Sequence, residues 1–152
     1  MEIRTATTKD IDQIASLFVE QYDIQADLTP YLMQRGTQSK QFIESTITDA
    51  ESQIFVAEES GKIIGFVSVF EKKSPDFNFM VQHKYAHIMD IIVTKGQRGK
   101  GIATRLMGEV RQWALDRGLD YMELSVFSNN DAVDFYIRNG YEEVRKTMVF
   151  KL

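Results

Sequence analysis

The sequence contains no cysteine and only two histidines, His83 and His87. Without cysteine the chain has no disulfide, no thiolate metal site and no cysteine nucleophile. A zinc site that used both histidines would also need carboxylate ligands at a suitable spacing, and the sequence lacks that spacing. We therefore expect a protein that uses neither a metal ion nor thiol chemistry.

Long apolar runs are missing as well. The N-terminal segment from Met1 to Ala6 lacks the apolar stretch of a signal peptide, and no later segment is long enough to span a bilayer. The formal net charge of −4 argues against a general nucleic-acid binder. The expectation is a cytoplasmic protein that acts neither at a membrane nor on nucleic acid.

Acidic and basic side chains are distributed unevenly. Acidic residues dominate from Met1 to Ser60, whereas basic residues dominate from Thr94 to Gly118. One region is therefore suited to a cationic ligand and the other to an anionic ligand. Solvated helix faces of opposite charge explain the same distribution equally well.

A chain of 152 residues, 43% of them hydrophobic, is long enough for one compact domain with its own core. Apolar spacing and turn residues predict the element order β-α-α-β-β-β-α-β-α-β over residues 1–152. This order indicates a single α/β domain of the α+β type, with a mixed sheet of six to seven strands flanked by about four helices. The expected strands are residues 2–5, 53–58, 62–70, 87–93, 121–126 and 148–150. The expected helices begin after Thr7 or Thr8, between Ser39 and Asp49, at Ile102, and at Asp131.

The most informative segment is the glycine-rich turn from Gln97 to Thr104, which lies between an apolar strand and a helix. Glycines allow a tight turn that brings backbone N–H groups against a ligand, and a helix N-terminus favours negative charge. Arg98, Lys100 and Arg105 add positive charge. The turn therefore predicts a pyrophosphate site, with an ordinary strand–helix turn as the alternative.

Two common nucleotide-binding motifs do not fit this turn. A P-loop needs four residues between its first glycine and the Gly-Lys pair, and Gly96 is too close to Gly99 and Lys100. The segment from Gly99 to Thr104 is an imperfect Rossmann fingerprint, and the chain that follows it is too short for a second set of βα units.

Two motifs resemble the GNAT superfamily of N-acetyltransferases. Arg98-x-x-Gly101-x-Ala103 resembles the acyl-CoA motif R/Q-x-x-G-x-G/A, which in that family also follows a strand and precedes a long helix. Further along the chain, Asn129-x-x-Ala132-x-x-Phe135-Tyr136-x-x-x-Gly140-Tyr141 resembles the second family pattern, N-x-x-A-x-x-h-Y-x-x-x-G-F/Y. The resemblance covers most of the chain and implies a single GNAT-like domain, although only the element order matches over the first sixty residues.

The resemblance implies acetyl-CoA as co-substrate, with its pantetheine arm between the strand that ends at Val93 and the strand through Leu124. Backbone groups of Ile91 and Val93 would bind the arm, and the Val93 N–H could polarise the thioester carbonyl. Asn129 would bind the arm or cap the next helix, and Asn130 is the neighbouring alternative. The pyrophosphate would be held by the amides of Arg98, Gly99, Lys100, Gly101, Ile102, Ala103 and Thr104.

The same resemblance makes Tyr136 the candidate general acid for the departing thiolate, because a phenol stays protonated at neutral pH. The general base that deprotonates the amine is Asp90 or Glu123, since a carboxylate among apolar neighbours has a raised pKa that suits a base. The alternation of side chains along a strand does not tell which of the two faces the cleft. His87 is a third candidate.

We expect transfer of the acetyl group to a primary amine by direct attack in a ternary complex. The acidic N-terminal region favours a small cationic acceptor, or a lysine or N-terminal amine, that enters between the first two helices, the loop at Tyr31 and the segment from Phe77 to Phe79. The alternative is a non-catalytic acyl-CoA-binding module that acts as a sensor or scaffold. Two copies of the chain are also expected to pair as a homodimer.

Overall fold

A computed structural model describes all 152 residues of the chain. Its strands are β1 (Glu2–Thr5), β2 (Ser52–Glu59), β3 (Lys62–Lys73), β4 (Lys84–Val93) and β5 (Met122–Leu124). Its helices are α1 (Ile11–Leu28), α2 (Lys40–Thr48), α3 (Ile102–Asp116) and α4 (Ala132–Arg138), and one turn of 3-10 helix, Thr8–Asp10, precedes α1. No helix combines the length and the apolar character that crossing a membrane requires.

The strands form one sheet in the order β1-β2-β3-β4-β5. The first four strands are antiparallel neighbours, whereas β5 runs parallel to β4 and is reached through α3. The predicted hairpin between β2 and β3 is confirmed, and it turns at Ser60 and Gly61, which both have positive φ. The sheet is therefore mixed, and its single parallel pair lies at one edge.

Each face of the sheet carries its own apolar core. Along β2, Ile54 and Val56 join the core under α1 and α2, whereas Phe55 and Ala57 join the core under α3 and α4. This alternation is expected of strands with both faces covered. The two cores fix two helical layers against opposite faces of one sheet.

The predicted last strand at residues 148–150 is wrong, and the sheet has five strands rather than six to seven. Residues 142–152 make no backbone hydrogen bond, and the side chains of Met148 and Phe150 are almost fully exposed. A segment of high strand propensity forms a strand only where a partner edge is available. Here β5 has only three residues, so it offers a short edge.

The remaining order of elements is confirmed, with small shifts of the boundaries. Helix α1 continues to Leu28, four residues into the segment from Gln25 to Gln38 that the sequence predicts to be a loop, and ends two residues before Pro30. Helix α2 begins after Ser39, whose hydroxyl accepts a hydrogen bond from the Phe42 N–H at 3.3 Å. These two helices bring residues from the first third of the chain onto the face of the sheet that carries Asp90.

Candidate active site

Strands β4 and β5 part near one end of the sheet. Their register ends at the pair Ile88 and Leu124, and β4 continues to Val93 without a partner on that side. The Thr94 N–H donates to the Ile64 carbonyl on β3 at 2.9 Å. Because successive N–H groups of a strand point to opposite sides, those of Val93 and Ile91 point toward the gap left by β5. The gap thus exposes the backbone groups that were predicted to bind an extended arm.

The turn after β4 presents free backbone donors. None of the amide N–H groups from Arg98 to Thr104 donates a hydrogen bond within the chain. The last three of these, from Ile102 to Thr104, belong to the first turn of α3, where an α-helix has no internal acceptors and its dipole favours an anion. A run of unpaired donors at this helix end forms a suitable site for a pyrophosphate.

Glycines shape this turn through backbone conformation. Gly96, Gly99 and Gly101 have φ values of 90°, 77° and 77°, a region that other residues rarely adopt. A Cβ atom at any of the three would meet nothing within 4 Å, so the requirement is conformational rather than steric. The turn depends on glycine to direct its amides toward one point.

The basic side chains of the turn bind to the protein itself. Arg98 Nε donates to the Val93 carbonyl at 2.8 Å, and Lys100 Nζ donates to Gln97 Oε1 at 2.7 Å. On α1, Glu20 accepts hydrogen bonds from the Thr94 hydroxyl and the Lys95 N–H, both at 2.8 Å. Arg98 and Glu20 therefore fix the end of β4 and the start of the turn, which leaves the backbone amides as the free donors.

A β-bulge in β4 brings the candidate bases together. Ser68 pairs with Asp90 and the next residue of β3 pairs with Ile88, so that Met89 is an extra residue in β4. The extra residue puts His87 and Asp90 on the same face of the sheet, although three positions separate them. Glu123 pairs with His87 across β4 and β5 and lies on that face too.

Asp90 is held from two directions. Its Oδ1 accepts a hydrogen bond from Gln21 Nε2 on α1, and its Oδ2 accepts one from the Ser68 hydroxyl on β3, both at 3.1 Å. Burial raises the pKa of this carboxyl above its ordinary value, although both hydrogen bonds and the charge of His87 act in the opposite direction. A half-buried carboxyl with a raised pKa and unused lone pairs is suited to accept a proton.

Glu123 and His87 form a separate pair. His87 Nδ1 lies 2.6 Å from Glu123 Oε2, and the Glu123 side chain is 40% exposed. One oxygen of Glu123 is thus engaged, and its exposure leaves it closer to an ordinary surface carboxylate than Asp90 is. No group of three or more acidic or histidine side chains is arranged to hold a metal ion, and the expectation that no metal takes part stays a prediction.

Tyr136 lies on the opposite face of the sheet from Asp90. It belongs to the core under α3 and α4, is 8% exposed, and its ring meets those of Phe135 and Tyr141 edge to face. Burial raises the pKa of Tyr136 to about 12, and its hydroxyl makes no hydrogen bond within the chain. A protonated phenol thus lies on one face of the sheet and a carboxylate on the other.

The two asparagines before α4 have different partners. Asn130 Oδ1 accepts a hydrogen bond from the N–H of Ala132, the first residue of α4, at 2.9 Å, whereas Asp131 occupies the N-cap position without a side-chain cap hydrogen bond. Asn129 Nδ2 donates to the Leu28 carbonyl at the end of α1 at 2.7 Å. The alternative in which Asn129 caps the helix is wrong, because its side chain binds the end of α1 and Asp131 occupies the N-cap position.

The aromatic loop between β3 and β4 lies far from these groups. Phe77 and Phe79 stack on each other with ring centroids 5.3 Å apart. They precede Lys84, the first residue of β4, whereas the glycine turn follows Val93, the last one. The two loops are therefore at opposite ends of a strand about 30 Å long, and Phe77 and Phe79 are poorly placed for the predicted acceptor site.

Gln21, Ser68 and Glu20 were not predicted as site residues. Gln21 occupies a position on the buried face of α1, which includes Ile14, Leu17 and Phe18. A glutamine on an otherwise apolar helix face is a signal that the sequence contains. Its partner on the sheet, Asp90, faces α1 because of the bulge at Met89, and the spacing of apolar residues does not predict that bulge.

An open mixed sheet beside a strand–helix turn with free amides is the arrangement expected of an enzyme that uses acyl-CoA. The sequence model of the acetyltransferase (GNAT) family matches residues 11–141. An uncharacterised N-acetyltransferase of Bacillus subtilis, YhfO, is 29% identical over 144 residues, which are 94% of this chain and 91% of YhfO. The chain therefore belongs to the GNAT family of acetyltransferases.

Solved structures agree with this assignment at the level of the fold. A mutant of the BH1408 protein of Bacillus halodurans superposes with a TM-score of 0.95 at 24% identity, over 100% of this chain and 99% of that one. The aminoglycoside N-acetyltransferase AAC(6')-Iy, solved in complex with CoA, has a TM-score of 0.74 at 17% identity, over 99% and 98% of the two chains. The predicted family and enzyme class are confirmed.

A substitution at Gly65 tests whether acetyl-CoA binding depends on the position of Val93 at the end of β4. Gly65 pairs with Val93, and a Cβ at Gly65 would lie 2.8 Å from the Ile92 carbonyl oxygen and 3.3 Å from Val93 Cα. We expect Gly65→Ala to destabilise the fold by about 1–3 kcal/mol and to lower acetyl-CoA affinity, because Val93 has to move. Gly108→Ala is the control, since that Cβ is unobstructed within α3 and should stabilise the helix by about 0.5–1 kcal/mol. Equal thermal midpoints for the two variants would contradict the prediction.

Proposed function

We propose that the protein transfers an acetyl group from acetyl-CoA to the primary amine of a cationic acceptor, by direct attack in a ternary complex. The observation that carries this proposal is the run of unpaired amides from Arg98 to Thr104 beside the gap between β4 and β5. Asp90, on the part of β4 that borders this gap, and Tyr136 lie on opposite faces of the sheet. An acceptor on one face and a leaving group on the other would each have a proton-transfer residue nearby.

The residues of the turn suit acetyl-CoA as co-substrate. The free amides from Arg98 to Thr104 would hold its pyrophosphate, and the backbone of Ile91 and Val93 would bind its arm along the open side of β4. Bound acetyl-CoA supplies a thioester whose acyl carbon is open to attack by an amine. The chain contributes alignment of the two substrates and donors near the developing oxyanion, effects that account for much of the rate enhancement in acyl transfer.

Asp90 is the favoured general base. Its burial raises its pKa, and its remaining lone pairs are free to accept a proton from the amine. Glu123 stays the alternative, with one oxygen engaged by His87 at 2.6 Å. Asn129 and Asn130 have partners within the chain, so contacts of either side chain with the CoA arm would be additional to those bonds.

Carboxylates near the turn favour a cationic acceptor. A groove of about 470 Å³ runs between α1 and the turn, and Glu20, Asp23 and Asp27 line it together with Lys95 and Arg98. Arg35 lies 3.4 Å from both Asp23 and Asp27, distances typical of loose surface ion pairs. A diamine, an aminoglycoside-like polyamine or a lysine side chain would meet favourable charge here.

Neutralising these two carboxylates should raise KM for a cationic acceptor. We expect the double variant Asp23→Asn with Asp27→Asn to raise KM for 1,4-diaminobutane about threefold to tenfold at low salt, and less at high salt. Asp12→Asn is the matched control, because Asp12 lies on the same helix about 16 Å from Asp23. An unchanged KM at low salt would rule out electrostatic attraction by this groove.

Thermal unfolding with ligands tests the central proposal. Acetyl-CoA at a hundredfold excess over Kd should stabilise the protein by about 2.7 kcal/mol, whereas NAD and ATP should not. Gly101→Ala should reduce this shift because it strains the turn, and Gly36→Ala, in an exposed loop without positive φ, should not. Measurement of CoA release with a panel of amines then distinguishes an enzyme from a non-catalytic binding module. No shift with acetyl-CoA in the folded protein would refute the proposal.

Two further expectations from the sequence stay predictions. Pairing of two copies would double the 17.5 kDa of one chain, and light scattering at working concentration distinguishes the two masses. The exposed apolar side chains of Met148 and Phe150 are the part of the surface that pairing would best cover. A cytoplasmic location likewise stays a prediction.

A further inference from the structure

Gln21 is a polar residue in an apolar layer. It is 8% exposed and lies on the face of α1 that also carries Leu17 and Phe18, which pack into the core under this helix. Burying an amide costs free energy unless its donor and acceptor atoms both find partners. An apolar side chain at this position would continue the core. The presence of an amide here therefore requires a specific explanation.

Only half of the Gln21 amide is paired. Its Nε2 donates to Asp90 Oδ1 at 3.1 Å, whereas its Oε1 is buried without any hydrogen-bond partner. An unpaired buried acceptor costs about 1–3 kcal/mol, and such groups are rare in folded proteins. A partner for Oε1 has to carry an N–H or O–H group close to Asp90, and a bound water or an amine supplies one.

We propose that Gln21 is a positioning residue that selects a primary amine as acceptor. This inference rests on the proposed function and specifies its substrate. A neutral primary amine carries two N–H groups and one lone pair. One N–H would bind the Asp90 carboxylate and the other Gln21 Oε1, so that the lone pair is left to point away from both acceptors.

The arrangement fits a balanced acyl transfer. After the ammonium form has lost a proton to solvent, the neutral amine nitrogen forms a bond to the acyl carbon while the bond between that carbon and sulfur breaks. Asp90 accepts the proton that the nitrogen loses, and Tyr136 donates a proton to the sulfur; solvent later restores both groups. Gln21 exchanges no proton, and it keeps the second N–H of the nitrogen in a fixed direction throughout the reaction.

A secondary amine would bind poorly at this site. It has only one N–H, so either Asp90 or Gln21 Oε1 would lose its partner. The additional carbon would also be pressed against a buried polar atom, which raises the cost. Discrimination between a primary amine and its N-methyl derivative therefore reports directly on Gln21.

Several titratable and polar groups face Asp90 and bear on its proton affinity. Tyr22 approaches from α1, and its own pKa is raised by burial and by the charge of Asp90. Ser68 approaches from β3 with a hydrogen bond, and His87 lies on the same strand with Glu123 of β5 behind it. Because Gln21 donates to the carboxylate, its loss should raise the pKa of Asp90 while these other groups stay in place.

The experiment compares Gln21→Met with the wild type. Methionine keeps the length of glutamine without its amide, and Gln25→Met, one turn further along α1, is the control because its side chain makes no hydrogen bond. The two substrates are 1,4-diaminobutane and its N,N'-dimethyl derivative, in which both nitrogens are secondary. We expect the wild type and Gln25→Met to prefer the primary diamine by at least tenfold in kcat/KM, and Gln21→Met to lose that preference.

NMR measurements test the role of Gln21 independently of catalytic turnover. Without any acyl donor, 1,4-diaminobutane should shift the Gln21 side-chain amide signal, and the dimethyl derivative should not. Titration followed on the Asp90 carboxyl carbon should give a higher pKa in Gln21→Met than in the wild type. Diamine binding at Gln21 without acetylation would refute the proposed function alone. An unchanged preference in Gln21→Met, or no shift of the Gln21 signal, would overturn the role of Gln21.

Discussion

Replacing Asp90 by asparagine is expected to lower kcat/KM for a primary amine by about 100-fold or more, with acetyl-CoA binding retained. Asparagine has the same shape and can keep the hydrogen bond from Ser68, but it does not accept a proton at neutral pH. Asp90 lies on the face of the sheet that carries α1, away from the turn at Arg98 to Thr104, so the thermal shift with acetyl-CoA should persist. Steady-state kinetics and thermal unfolding measure the two effects.

The pH dependence identifies the group that acts as the base. Burial raises the pKa of Asp90, so the wild-type kcat/KM should fall on the acid side at a pH above the ordinary range of an aspartate. Because the folded pKa exceeds the unfolded one, ionised Asp90 destabilises the fold, and this cost builds up between the unfolded and the folded pKa as pH rises. Asp90→Asn removes the cost, and its thermal midpoint at neutral pH should equal or exceed that of the wild type.

Glu123→Gln is the matched control for this variant. It removes a carboxylate from the same face of the sheet, beside His87, but one that is 40% exposed. We expect its kcat/KM to stay within a few-fold of the wild type. The reverse pattern, full activity in Asp90→Asn and a large loss in Glu123→Gln, would transfer the role of base to Glu123.

The glycine turn and the motif from Asn129 to Tyr141 could be predicted from the sequence because each depends on residues that are close together in the chain. The turn from Gln97 to Thr104 requires glycine at particular backbone conformations, and a helix end has free amides wherever it occurs in a fold. Tyr136 could be singled out because the whole motif that resembles the family pattern lies in the short segment from Asn129 to Tyr141. Features of this kind depend on neighbours in the chain, and the sequence contains them.

The arrangement around Asp90 could not be predicted because it depends on one extra residue. Alternation along β4 would place His87 and Asp90 on opposite faces, and the bulge at Met89 brings them to the same one. Bulges arise from how two strands fit across a sheet, so the sequence of either strand alone gives a weak signal for them. The partnership of Gln21 with Asp90 joins residues 69 positions apart and follows from the same fit.

The last predicted strand failed for a related reason. The segment from Met148 to Phe150 has the side chains of a strand, but strand propensity measures how well a residue fits a half-buried sheet and does not supply the sheet. The neighbouring β5 has three residues, and residues 142–152 make no backbone hydrogen bond. The segment has strand propensity, as predicted, but the fold of a single chain provides no partner strand for it.

Tyr136→Phe is expected to lower kcat by about 100-fold while KM for acetyl-CoA stays within a few-fold, because the hydroxyl acts only as the thiolate leaves. The Tyr136 hydroxyl makes no hydrogen bond within the chain, so its removal leaves no partner unpaired and should change the thermal midpoint little. With a pKa of about 12, the phenol keeps its proton across the working range, and its loss should not shift the acid limb that Asp90 sets.

Tyr141 provides the matched control for this last variant. Its ring centroid lies 5.7 Å from that of Tyr136, burial raises its pKa to about 12 as well, and neither hydroxyl makes a hydrogen bond within the chain, although only that of Tyr141 is fully buried. Tyr141→Phe therefore removes the same group from the same core, and we expect it to keep full activity. If both variants lost activity equally, the effect would be one of packing. If neither lost any, the proton of the leaving thiol would have to come from another donor, such as solvent, and Tyr136 would be only a core residue.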